Sequence, residues 1–160
     1  MTSDDSRSLL RHTLATIAYR GGKAVSGAPG GFADFRASET CRTPAQILAH
    51  IGDLLDWALT LANGEQRWQN STPLEWDRER DRFFAALSTL DHRLASEAAL
   101  VCSAQQLLQG PLADCLSHIG QLAILRRIAG APVRGENYFV ADIVAGRVGA
   151  AQSPPVAEFD

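Results

Sequence analysis

Three polar side chains stand at positions in this sequence where metal chemistry is feasible. Asp114 and His118 are four residues apart, so on an α-helix both leave the same face. His50 lies in an otherwise apolar stripe of another predicted helix. Imidazole and carboxylate groups are usual ligands of Zn, Ni, Fe and Mn, and three protein ligands leave coordination positions open. The spacing predicts either a divalent-metal site at His50, Asp114 and His118 or a buried Asp–His pair whose members satisfy each other.

The helix that carries Asp114 and His118 is predicted to run to about Gly130. It is apolar almost all round, so we expect it to lie centrally in a bundle. An ionisable pair on a buried helix needs a partner or a metal to offset its desolvation. Gln121, one turn beyond His118, is expected to face the same cavity and to hydrogen-bond either a substrate, a bound water or a neighbouring helix.

Residues near His50 provide further candidates. Asp53, one turn after His50, is expected either to orient its imidazole or to be exposed at the surface. Trp57 is expected either to wall the pocket or to pack in the core. The aromatic residues Phe32, Phe35 and Phe139 are expected to line the mouth of the pocket or a dimer contact. The cations Arg126 and Arg127 lie in the last turn of their helix, where they should favour its dipole.

Helical periodicity and capping signals place these residues on four helices. The first is predicted from about Ser6 to Tyr19 and ends at Gly21-Gly22, before a long glycine-rich loop over residues 21–41 whose aromatic side chains should be buried. The second and third helices each begin with a threonine cap followed by proline, at Thr43-Pro44 and Thr72-Pro73. The fourth contains Asp114 and His118. The pattern predicts an all-α, four-helix bundle with a long loop between helices one and two.

The segments outside the four helices carry weaker signals. The pattern predicts a short helical turn at residues 103–109 and a second short helix at residues 141–145. Charged residues at 77–82 are interpreted as a solvated face of the third helix. No strand pattern of period two persists. The whole chain, residues 1–160, is predicted to be one domain that finishes in an extended arm from about residue 147.

Composition excludes several classes of function. The chain has 160 residues, 46% hydrophobic and 21% charged, with a formal net charge of −3, which argues against nucleic acid as a partner. No apolar run approaches the roughly 20 residues needed to span a membrane, and the first residues lack the pattern of a signal peptide. The cysteines, Cys41, Cys102 and Cys115, have no CxxC spacing and are interpreted as small buried hydrophobes. A cytoplasmic location is expected.

Two stretches of the sequence carry a family resemblance that extends over nearly the whole chain. The stretch from Thr43 to Trp57, which includes His50, and the stretch from His118 to Pro132, which begins His-Ile-Gly-Gln, resemble the DinB-like superfamily of four-helix bundles. That resemblance implies a metal held by one histidine of helix two and an H-x-x-x-H pair before Gly-Gln. His50 and His118 stand at ligand positions of this pattern. Asp114 stands where the family usually has histidine.

The resemblance implies a function, and Asp114 in place of histidine leaves two alternatives for the metal. A carboxylate in place of an imidazole favours harder metals, or it marks a branch that has lost the metal. Members of the superfamily include thiol S-transferases and thiol-dependent isomerases, so the resemblance implies thiol transfer or hydrolysis on a small molecule. A low-molecular-weight thiol cosubstrate and a homodimer are also implied. The alternative is a metal-free bundle that binds a small molecule or acts as a dimeric interaction protein.

Overall fold

A computed structural model describes residues 3–159 of the protein. The long helices are α1 (Ser3–Val25), α2 (Pro44–Ala62), α3 (Trp76–Ala95) and α5 (Ala113–Ile128), and α4 (Ala104–Leu107) is a single turn. A 3₁₀ turn, Phe32–Asp34, interrupts the connection between α1 and α2. Two-residue strands β1 (Gly135–Glu136) and β2 (Glu158–Phe159) pair antiparallel.

The four long helices pack in a closed arrangement around one apolar core. Helices α1 and α2 each contact both α3 and α5. Leucine and isoleucine side chains fill the centre, among them Leu14, Ile51, Leu87 and Leu122, each fully buried. The predicted all-α class and the long connection between the first two helices are confirmed.

Helix α1 continues past the glycines that were predicted to end it. It runs to Val25, and Gly21 lies where α1 crosses α3: a Cβ at this position would be 2.6 Å from the ring of Phe83. The glycine therefore permits a close helix–helix approach instead of terminating the helix. The chain turns only at Gly27, which has a positive φ of 60°.

The capping signals predict the start of α2 correctly and that of α3 wrongly. Thr43 caps α2 by accepting the backbone N–H of Gln46, whose side chain accepts the N–H of Thr43 in return. At α3 the corresponding Thr72 is not the cap, and the helix begins at Trp76. Residues before it remain outside the helix because Glu79 reaches back to accept the backbone N–H of Leu74 at 2.8 Å.

Helix α5 is reached through a distorted turn. The predicted turn near residue 103 is confirmed as α4, with Ser103 and Gln106 forming a reciprocal cap. A wide turn over Leu108–Leu112 follows, and Gly110 leaves helical geometry there (φ −91°, ψ −105°). The expectation that the next helix lies centrally is wrong. Helix α5 buries one side, and its other side, with Ile124 and Ile128 more than half exposed, faces outward.

The tail folds back along α1. Glu136, in β1, is buried and accepts hydrogen bonds from the Tyr19 hydroxyl and the Lys23 ammonium, each at 2.8 Å. Burial acts to raise the pKa of Glu136, and these two partners outweigh it, so the pKa lies below its usual value. The helix predicted at residues 141–145 is not formed, and that stretch has bends and turns. Strands of two residues are too short to produce an alternating pattern in the sequence.

Arg126 connects α5 to the end of α1 and to the loop that follows it. Its guanidinium donates to the carbonyl oxygens of Ala24 (3.2 Å), Ser26 (2.9 Å) and Gly27 (3.1 Å), and its Nε donates to that of Ala131 (2.8 Å). The sequence predicted that this arginine favours the dipole of α5. Its side chain is also buried and turned toward α1, where it satisfies carbonyls left free at a helix end.

Replacing Arg126 with methionine is expected to lower the free energy of unfolding by about 2 kcal/mol, because buried carbonyl oxygens lose their donors. Urea unfolding followed by circular dichroism measures the change. Arg127→Met is the matched control, since its side chain is exposed on the same turn. Equal stability of the two variants would contradict the capping role.

Candidate metal centre

The structure brings His50, Asp114 and His118 together where α2 packs against α5. One ligand atom from each residue lies within 4.8 Å of the others. The Nε2 of His118 is 3.6 Å from Oδ1 of Asp114, one turn earlier on α5. The rings of His50 and His118 meet edge to face, with centroids 4.7 Å apart. Two imidazoles and one carboxylate thus converge from two packed helices.

Gln121 fixes the orientation of His118. Its Oε1 lies 2.8 Å from Nδ1 of the imidazole, on the side of the ring away from Asp114. With Nδ1–H donating to Gln121, the lone pair of Nε2 is directed toward the carboxylate. The expectation that Gln121 shares a cavity with His118 holds, and the geometry gives it a positioning contact as well.

The cluster lies at the edge of the bundle. The side chain of Asp114 is 49% exposed and that of His118 is 12% exposed. The expectation of a fully buried pair is therefore wrong, because α5 presents its polar residues along an outward border. Desolvation of Asp114 is correspondingly small, so its burial alone does not require a cation. The feature that suits a metal is the convergence of the three donor atoms.

The surroundings of His50 favour its neutral form. Burial lowers the pKa of the His50 imidazole, and electrostatic interactions with His118 and Arg42 lower it further, against the smaller opposing effect of Asp114 and Asp53. A neutral imidazole has a free lone pair, which is the form that coordinates metals.

A cavity of about 610 Å³ opens beside the cluster, within the range typical of small-molecule sites. Its walls come from α2, α5 and the loop before α2. The lining residues are Ala37, Cys41, Arg42, Ile47, His50, His118, Gln121, Ile124, Leu125 and Ile128. Sequence reasoning missed Arg42 and Cys41, because loop residues carry no periodicity that would indicate a shared direction.

The aromatic residues near the site lie between the core and the surface, and Trp57 packs against the core, one of the two places predicted for it. Trp68, in the connection between α2 and α3, packs edge to face on both His50 and Trp57, at centroid distances of 5.6 and 5.7 Å. Trp57 lines a separate cleft that Asp114 also borders. Phe32 is buried against Trp76.

The remaining aromatic candidates do not line the cavity, and the alternative of a dimer contact stays a prediction. Phe35 packs against the core, and Phe139 is 95% exposed. Neither residue is part of the lining of the cavity.

Asp53 neither orients His50 nor lies at the surface. It is buried and accepts hydrogen bonds from the backbone N–H and hydroxyl of Ser71 and from Arg82. Burial acts to raise the pKa of Asp53, and these donors outweigh it, so the pKa lies below its usual value. Asp53 is therefore a structural anchor of α2.

The cysteines differ in their surroundings. Cys115 is fully buried as expected, and burial raises the pKa of its thiol. Cys41 and Cys102 are only partly buried, and Cys41 borders the cavity.

Comparisons of the chain with protein-family models, with curated proteins and with solved structures give no match. Within residues 3–159, no helix combines the length and apolar character that crossing a membrane requires.

Proposed function

We propose that this protein is a divalent-metal-dependent enzyme of the DinB-like type. In this proposal His50, Asp114 and His118 hold the ion, and a small molecule in the adjoining cavity undergoes thiol transfer or hydrolysis. The observation that carries the proposal is the convergence of three donor atoms within 4.8 Å on the border of a cavity of about 610 Å³.

The donor set fits a divalent ion. Ligand atoms about 2.0–2.2 Å from a tetrahedral ion are about 3.4 Å apart, close to the 3.6 Å between His118 Nε2 and Asp114 Oδ1. The widest pair in the cluster, within 4.8 Å, would have to close by up to about 1.4 Å. One carboxylate with two neutral imidazoles suits Zn, Ni, Mn or Fe. Such an ion supplies Lewis acidity, which lowers the pKa of a coordinated thiol or water.

The protein's own residues have distinct tasks in this proposal. Gln121 holds the His118 ring so that Nε2 faces Asp114. Trp68 packs on His50 and limits the movement of its ring. Isoleucine and leucine side chains on the other side of the cavity exclude water from an apolar part of the substrate. A low-molecular-weight thiol is the cosubstrate if the reaction is a transfer.

Metal content tests the proposal. Protein purified without a histidine tag or chelator, then incubated separately with Zn²⁺, Ni²⁺, Mn²⁺ or Fe²⁺, is expected to retain about one ion per chain by plasma mass spectrometry. His50→Ala is expected to retain almost none. His12→Ala, which removes an exposed histidine of α1, is the control and should match the wild type. A His50→Ala variant with unchanged metal content would overturn the proposal.

A metal-free binding protein is the second candidate. The observation that favours it is the 2.8 Å hydrogen bond between His118 and Gln121, which satisfies one ring nitrogen of the histidine within the protein. This candidate requires the wild type to retain none of the four ions. The same metal measurement therefore separates the two functions.

Location and assembly belong to the same proposal. We place the protein in the cytoplasm, where its three free cysteines would stay reduced. Its partner is a small molecule, since a net charge of −3 does not suit nucleic acid. The homodimer implied by the resemblance stays a prediction, and sedimentation equilibrium measures it directly.

A further inference from the structure

The cavity beside the metal centre has an apolar wall that continues to solvent. Ile124 and Ile128, on successive turns of α5, are 51% and 56% exposed, and both line the cavity together with the buried Ile47 and Leu125. Covering exposed isoleucines with an apolar surface is favourable, because it removes apolar area from water. This wall therefore suits the hydrocarbon part of a ligand.

The lining of the cavity also carries a positive charge. Arg42 is the one arginine or lysine among its lining residues within the described part of the chain. Arg42 directly precedes the Thr43 cap of α2. Arg42 and His50 also border together a smaller polar cleft of about 240 Å³.

The guanidinium of Arg42 is available to a ligand. Within residues 3–159 it forms no hydrogen bond and no ion pair. The nearby arginines are engaged: Arg36 donates to the carbonyl oxygen of Cys41, and Arg82 binds Asp53. A guanidinium matches a carboxylate with two parallel hydrogen bonds, a geometry that no neutral group reproduces.

We propose that this site takes an amphipathic organic anion, with its apolar body against Ile124 and Ile128 and its carboxylate paired with Arg42. An ammonium at the same end would be repelled, and a neutral amide would gain less. Because Arg42 and His50 both line this cavity and also share the smaller polar cleft, the reacting bond lies near the anionic head of the substrate. This inference names the substrate class of the proposed enzyme and rests on that function for its chemistry, whereas the binding itself needs no metal.

Isothermal titration of metal-free protein in EDTA tests the inference, with octanoate and octanamide as probes of equal length and shape. The wild type is expected to bind octanoate about five-fold or more tighter than octanamide. Arg42→Gln should reduce that ratio to about one. Arg78→Gln removes an exposed arginine that is not part of the cavity lining, and should keep the wild-type ratio.

A second variant tests the apolar wall. Ile124→Asn is expected to weaken both probes several-fold, because it removes apolar area from the wall without adding charge. Its position on the exposed side of α5 keeps the core intact. Equal binding of the two probes by the wild type, a preference that survives Arg42→Gln, or no binding of either probe at millimolar concentration would each overturn the inference.

Failure of this inference about the substrate class can be distinguished from failure of the proposed enzyme function. A wild type that retains metal but shows no preference for octanoate overturns the substrate class and leaves the metal centre standing. A wild type that prefers octanoate through Arg42 but retains no metal overturns the enzyme and leaves the anion site.

Discussion

Replacing Asp114 with alanine is expected to weaken binding of Zn²⁺ or Mn²⁺ by at least about 100-fold, since loss of a direct ligand costs more than loss of an outer contact. The substitution removes the one carboxylate of the cluster and leaves two neutral imidazoles to hold the ion. The fold should be unaffected, because the side chain is about half exposed. Titration calorimetry on chelator-treated, untagged protein measures the affinity.

Two further variants make this result specific. Asp81→Ala removes an exposed aspartate from α3 and should leave metal affinity unchanged. Asp114→His should bind metal again but shift the preference from Mn²⁺ toward Zn²⁺, because imidazole is a softer ligand than carboxylate. If Asp114→Ala binds both ions as tightly as the wild type, Asp114 is not a ligand.

Replacing Arg82 with methionine is expected to lower the free energy of unfolding by about 3–5 kcal/mol, because it breaks a largely buried charge network. Arg82 donates to Asp53 at 2.6 Å and to Glu79 at 3.1 Å, and both carboxylates are almost completely buried. Methionine keeps most of the side-chain volume but leaves these negative charges without their cation. The exposed Asp56, which Arg82 contacts at 2.9 Å, contributes little.

Thermal and urea unfolding measure this effect, with Arg78→Met as the matched control one turn earlier on the same helix. Arg78 is exposed, so its replacement should change the unfolding free energy by less than about 0.5 kcal/mol. A second variant, Arg82→Lys, should recover part of the loss, since it restores the charge without the planar donor geometry. Equal stability of Arg82→Met and Arg78→Met would contradict a structural role for the network.

Local signals in the sequence were reliable where the structure uses local contacts. The reciprocal cap of Thr43 and Gln46 involves residues three apart, and the structure forms it as predicted. Asp114 and His118 share one face of α5 because they are four residues apart on the helix. The meeting of this pair with His50 depends on how α2 packs on α5, and the sequence predicted it only by assigning all three residues to inward faces of a bundle.

Most errors arose where distant residues decide the structure; the cap predicted at Thr72 is an exception, since a local contact of Glu79 with Leu74 accompanies the later start of α3. Arg82 lies in a charge run interpreted as a solvated face, but its partner Asp53 is 29 positions away. Glycine is typical of helix ends, but at Gly21 the contact with Phe83 on another helix determines the role of the residue. Arg126 likewise binds carbonyls about 100 positions away. No pattern within a single helix reports such contacts.

The position of Asp114 at the solvent-facing border of the bundle has an evolutionary consequence. Its side chain contributes little to the core, so substitutions there are nearly free of stability cost. Selection can then exchange this residue, and with it the chemistry of the proposed centre, while core residues such as Ile51 and Leu122 maintain the scaffold. In the proposed metal centre, a change of metal preference is thereby uncoupled from the threshold stability that constrains the rest of the chain.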